Sequence, residues 1–190
     1  MKFALTLFLT FLSYLAFCQT AEPECIVGDC QKGYGEKRYS NHLYKGEWKR
    51  GFKHGKGEII RDDGGFEKGD FVKGYAWGYI EQFFGTTSEF AGDSYKGECF
   101  MDQYHGHGKY VFSKQGSSYI GDWKKGKMDG YGVYIYGTSD DSAGDKYEGY
   151  WKDGKQNGKG KFIYSNGTIV EGEFVNGVMQ GEGKITLPGG

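Results

Sequence analysis

The chain has 190 residues, 35 of them glycine, 2 proline, and 18% aromatic. Two prolines exclude a collagen-like or proline-rich chain, and the aromatic content excludes a disordered one. Lysine and arginine number 24 against 25 acids, so there is no basic excess to neutralise phosphates and a general nucleic-acid binder is excluded.

Residues 1–18 read as a secretory signal peptide. Lys2 supplies the positive start, and residues 3–17 form an apolar run too short to span a bilayer as a relaxed helix. Ala16 and Cys18 are small residues at the −3 and −1 positions of a cleavage site before Gln19. A lipoprotein reading takes Leu15, Ala16, Phe17 and Cys18 as a lipobox, against which Phe17 is too large. Residues 19–43 read as an N-terminal cap, with Gly33, Tyr34 and Gly35 echoing half of the unit that follows. Within it, Cys25 and Cys30 are either the two ends of a small disulfide loop in an oxidising compartment or two free thiols. Cys99 is left over in either case, and no Cys or His partners stand at zinc spacing.

From residue 44 to residue 187 the chain is an internal repeat. Tyr44, Gly46, Trp48, Gly51, Gly55 and Gly57 define one unit. Tyr119, Gly121, Trp123, Gly126, Gly130 and Gly132 repeat it at every position, as do Tyr147, Gly149, Trp151, Gly154, Gly158 and Gly160. Three further units are worn. One starts at Glu67 and has Ile80 where the last glycine belongs; one starts at Tyr95 and has Cys99 for the tryptophan and Asp102 for a glycine; one starts at Val170 and has Phe174 for the tryptophan. Starts at 67 and 119, and at 95 and 147, are both 52 residues apart, and the insertions at residues 85–93 and 137–145 resemble each other. A two-hairpin block has been duplicated. Residues 188–190 are a short tail.

Side chains alternate faces along a strand, so Tyr119, Gly121 and Trp123 share one face, as do Gly130, Gly132, Tyr134 and Tyr136. The glycines leave room for rings. Burying a ring gains about 1.5–3 kcal/mol, against a cost of roughly 0.5–1 kcal/mol for glycine in a strand. Gly126 and Gly154 suit tight turns that need positive φ. The expected fold is all-β, an elongated twisted antiparallel sheet of about six stacked hairpins. On the other face the acids Glu47, Asp70, Glu98, Asp122 and Glu173 recur beside lysines, which predicts cross-strand ion pairs.

This pattern of tyrosine, tryptophan and four glycines resembles the MORN (membrane occupation and recognition nexus) repeat. The resemblance covers about residues 44–187. It implies an extended sheet of hairpins that serves as a scaffold, a protein-interaction or dimerisation surface or, in some members, a phospholipid binder. Family members that are enzymes carry a separate catalytic domain, for which residues 19–43 and the tail are too short. No cofactor is implied. Signal peptide plus repeats is similar to exported bacterial MORN proteins, which places the chain in the periplasm, at the outer membrane or outside the cell.

Three functions compete. The first is a non-catalytic scaffold or protein-interaction module of the envelope, self-associating or binding a protein partner through an end of the array, where Ile185, Thr186 and Leu187 are expected to be exposed. The second is an anionic membrane surface bound by Lys45, Lys49, Arg50, Lys53 and Lys56; a solvated face is the plainer account of these charges. The third is glycan binding by the aromatic rows, which packing also explains. His54 and His105 are on the order of 19 Å apart at two-hairpin offset and cannot share a metal, and His105 with His107 gives two ligands at most. Asp140, Asp141 and Asp145 lack the spacing of a calcium loop. Asn166, Gly167 and Thr168 form a glycosylation sequon.

Overall fold

In a computed structural model, residues 23–138 and 142–189 are described. Fourteen strands form one open antiparallel sheet in strict chain order. They are β1 (Glu24–Gly28), β2 (Lys32–Arg38), β3 (His42–Lys49), β4 (Phe52–Arg61), β5 (Phe66–Val72), β6 (Tyr75–Phe83) and β7 (Ser94–Phe100). They continue with β8 (Gln103–Phe112), β9 (Ser117–Lys124), β10 (Lys127–Ile135), β11 (Lys146–Lys152), β12 (Lys155–Ile163), β13 (Ile169–Val175) and β14 (Val178–Thr186). The strand count exceeds six hairpins because the cap segment is itself a hairpin, β1–β2, paired to β3 in regular register. The candidate signal peptide lies outside the described residues.

Two-residue turns join the arms of each repeat hairpin. Arg50 and Gly51 have φ of 54° and 74°, and Lys125 and Gly126 have 51° and 78°. Positive φ at both central residues is the type I′ geometry, whose twist matches that of the strands. Met101 and Asp102 adopt it without any glycine. There the Asp102 carboxylate accepts a hydrogen bond from the Ala76 backbone N–H at 2.6 Å, an offsetting contact.

Every repeat hairpin also carries a bulge. In β9–β10, Gly121 faces Gly132 but Trp123 faces Met128, so two extra residues lie on the second arm. The same shift recurs in β3–β4, β7–β8 and β11–β12, whereas pairing between successive hairpins is unbroken. The bulge holds Gly130 at φ 118° and Gly55 at φ 56°, which explains the third signature glycine. Regular alternation does not anticipate this feature.

Along one register line, from Gly35 on β2 to Gly172 on β13, every strand carries glycine except β6, which carries Ile80. Into this trough fall the signature rings. Tyr119 lies over Gly121 and Gly132 of its own hairpin. Its ring meets Trp123 edge-on at 5.2 Å and Trp151 of the next hairpin at 5.4 Å. Tyr147 repeats this with Trp151 and Phe174. The apolar core is therefore one face of a single layer, built by rings laid sideways along the array.

Candidate interaction surface

The signature residues are consumed by this packing. Tyr44, Tyr119 and Tyr147 have no exposed area, and Trp48, Trp123 and Trp151 are 3%, 6% and 7% exposed. Each tryptophan N–H donates to a glycine carbonyl one strand away: Trp48 to Gly35 at 2.9 Å, Trp123 to Gly108 at 3.1 Å, Trp151 to Gly132 at 3.3 Å. Each tyrosine hydroxyl donates to the backbone carbonyl three residues on, as Tyr119 does to Asp122 at 3.0 Å. Burial raises these hydroxyls' pKa values, so they stay protonated. The signature rows therefore offer no platform for sugars.

The acid row behaves differently from the cross-strand pairing expected of it. Glu47, Glu98 and Asp122 reach into the bulges and accept from the backbone N–H groups of Lys56, His107 and Tyr131, at 3.1, 3.2 and 3.0 Å. Only Asp70 of these acids meets a lysine, Lys56 at 2.7 Å. Directly opposed cross-strand ion pairs instead use acids outside that row, with Lys45 to Glu36 at 3.3 Å, Lys96 to Glu81 at 3.1 Å and Lys161 to Glu148 at 3.3 Å. A bulge amide held by a carboxylate nine residues earlier is the functional use of the acid that pattern reading missed. The signal was present in the constant spacing from acid to bulge.

The candidate basic patch is divided by the fold. Lys53 is on the core face, its ammonium 5.6 Å from the Tyr44 ring centre and 5.4 Å from that of Phe71, and burial lowers its pKa. Lys45 and Lys56 are paired on the outer face. Lys49 and Arg50 are exposed at the β3–β4 turn. The five cations do not form one surface.

Cys25 and Cys30 form a disulfide that ties β1 to the β1–β2 turn. Cys99 is a buried free thiol in the place of a tryptophan. Its S–H donates to the Ala76 carbonyl at 3.8 Å, and burial pushes its pKa up to about 12. It is not a nucleophile at neutral pH. His107 Nδ1 is 3.3 Å from the Asp122 carboxylate, and the His105 ring lies 6.0 Å from Phe100. Among the described residues no three His, Cys, Asp or Glu side chains are grouped to hold a metal ion. Asp140 and Asp141 lie outside the described residues. Asp145 is buried and accepts from the Ser165 N–H at 2.8 Å, an anchoring role. Its counterpart in the duplicated loop, Asp93, accepts from the Ser113 N–H and the Tyr110 hydroxyl, both at 2.7 Å.

Two of the three worn units adjoin, β5 to β8. Glu67 occupies the site of a signature tyrosine, and buried Ile80 fills the space that ring would have taken. Tyr104 stacks on Tyr95 at 3.7 Å, beside the missing tryptophan. Its hydroxyl donates to Gln82 at 2.6 Å, and Gln82 donates to Glu67 at 3.2 Å. Burial raises the Glu67 carboxyl's pKa, with Arg61 3.6 Å away working against it. Beside this polar network the core face opens into a groove of about 360 Å³, lined by Phe84, Phe90, Tyr104, Phe112, Trp123 and Met128 with Lys127 at the rim.

A single-layer sheet of repeated bulged hairpins, with its signature rings buried, defines a β-hairpin repeat protein. The MORN repeat profile matches residues 44–66, 95–117, 119–140, 147–169 and 171–190, and the chain belongs to this family. The unmatched stretch contains Glu67 and Ile80. Among curated relatives, the ALS2 C-terminal-like protein of Bos taurus is 32% identical over 111 residues, covering 58% of this chain and 11% of that protein. MORN repeat-containing protein 3 of Xenopus laevis is 44% identical over 43 residues, covering 23% of this chain and 18% of that one. Alsin of Homo sapiens is 30% identical over 129 residues, covering 53% and 8%. The chain thus spans less than a fifth of these relatives' length. Among solved structures, the SAS-4 TCP domain of Drosophila melanogaster, in complex with a proline-rich motif of Ana2, superposes with a TM-score of 0.52 at 12% identity. It covers 88% of this chain and 85% of that chain, and it shares the fold.

Proposed function

We propose that this chain is a non-catalytic scaffold or protein–protein interaction module, exported to the cell envelope or the extracellular space. The observation that carries the reading is the fate of the signature side chains. The signature tyrosines and tryptophans, the bulge acids and the lone thiol are committed to packing or to backbone hydrogen bonds, and the edges and the groove are among the surfaces left for binding. Export draws support from the signal-peptide pattern of residues 1–18 and from the Cys25–Cys30 disulfide, a bond that persists in oxidising compartments. Interaction with a partner segment draws support from the structural neighbour, a domain seen in complex with a proline-rich motif.

The two edges differ. Strand β1 has five residues, is bulged, and is tied by the disulfide, all of which blunt an edge. Strand β14 has nine residues, and Val178 and Ile185 on it are more than 60% exposed. Among the described residues no strand pairs with its outer side. It is the edge through which a second copy or a partner strand adds. The test is fractionation and in-cell cross-linking of the tagged full chain. The expected result is recovery from the envelope or medium with cross-links from β14 to a protein. Retention in the cytoplasm with both cysteines reduced contradicts the export reading, and an absence of cross-links contradicts the interaction reading.

A further inference from the structure

We infer that the aromatic groove on the core face is a docking site for a proline-rich segment in the polyproline II conformation. This rests on the interaction reading above and adds the partner's chemistry. Phe84, Tyr110 and Phe112 line the groove, and from them a stripe of rings runs on beyond it, once per hairpin near the ends of alternate strands: Phe84 after β6, Tyr110 and Phe112 on β8, Tyr134 and Tyr136 at β10, Phe162 and Tyr164 at β12. Within each pair the ring centres are 4.5, 4.8 and 4.9 Å apart. Between hairpins they are 6.4, 5.8 and 5.5 Å apart, so the stripe is continuous. The first unit has Ile59 and Arg61 at these positions and the last has Ile185 and Leu187, so the aromatic stripe stops at both ends.

The period of the stripe selects the ligand. Alternate strands lie about 9.6 Å apart. A polyproline II helix advances about 3.1 Å per residue with three residues per turn, or about 9.3 Å. One ligand turn therefore meets one hairpin. A β-strand ligand, repeating about every 6.7 Å, and an α-helix, with a pitch of about 5.4 Å, drift out of step. The chemistry agrees with the period. Proline rings pack on aromatic faces, and the carbonyls of this conformation make no internal hydrogen bonds. Among the described residues the Tyr134 and Tyr164 hydroxyls have no hydrogen-bond partner, so they are available to donate to such carbonyls, with Lys127 at the rim.

The test is calorimetric titration of the full chain with proline peptides of about six, nine and twelve residues, beside a glycine–serine peptide of about nine. Affinity is expected to rise with each added turn and to level off near twelve residues, the span of the four ring-bearing hairpins. Phe112→Ala is expected to weaken binding by about tenfold or more, as aromatic anchors do. Tyr164→Ala, at a ring 41% exposed and tolerant of truncation, should weaken it without loss of fold. Tyr79→Ala on the opposite face should leave it unchanged. Equal binding of the glycine–serine peptide or of maltohexaose, or equal loss in Tyr79→Ala, overturns the assignment. So does the absence of proline binding at millimolar concentration. If β14 cross-links persist in that case, the interaction role stands and only this site falls.

Discussion

In the units that keep it, the signature tyrosine joins ring packing, glycine and bulge. Tyr119 buries its ring over two glycines, meets two tryptophans edge-on and spends its hydroxyl on a bulge carbonyl. The glycines beneath are therefore of two kinds. A methyl at Gly132 would occupy the place of the Tyr119 ring, whereas one at Gly126 would meet nothing and suffer only from its positive φ. Gly132→Ala is expected to cost about 2–4 kcal/mol through overpacking at a fully buried ring. Gly126→Ala is expected to cost about 1 kcal/mol. Urea denaturation of the two variants checks the ordering; equal costs would remove the ring-over-glycine account. The need for glycine here was legible in the sequence. That Ile80 stands in for the ring lost at Glu67 was not, because the compensation joins residues on paired strands that no local pattern links.

At the scale of the hairpin, the turn was readable and the bulge was not. Gly126 and Gly154 announce a two-residue turn by type and spacing. A period of two carries no information about a slip in pairing, so Gly130 read as one more ring-side glycine when it is held at φ 118° by the bulge. Asp122 closes that bulge on the Tyr131 amide. Asp122→Ala is expected to cost about 1 kcal/mol, the usual net value of such a bond, and Asp122→Asn less, since an amide oxygen still accepts. Thermal unfolding of both separates this role from a mere surface charge, for which the two variants behave alike. The cap segment was underestimated for a related reason. Gly33, Tyr34 and Gly35 show half a unit, and the short strand that completes it bears no signature residue.

At the scale of the whole molecule, the array is one-dimensional. Each strand pairs only with its neighbours in sequence, so the fold class could be read from periodicity alone. The surfaces could not, because exposure depends on which residues a neighbouring hairpin covers. The signature rings of the candidate aromatic platform are buried as packing requires, the candidate basic patch is split between two faces, and the groove lies across a worn unit and a regular one. The single layer leaves two long faces and two unlike edges, of which β14 is the longer and is unpaired on its outer side among the described residues. The mass of the chain in solution, measured by light scattering as concentration rises through the micromolar range, tests this most directly. The account predicts association beyond one chain that Val178→Lys and Ile185→Lys both abolish. A mass of one chain at every concentration, or association indifferent to both substitutions, would contradict it.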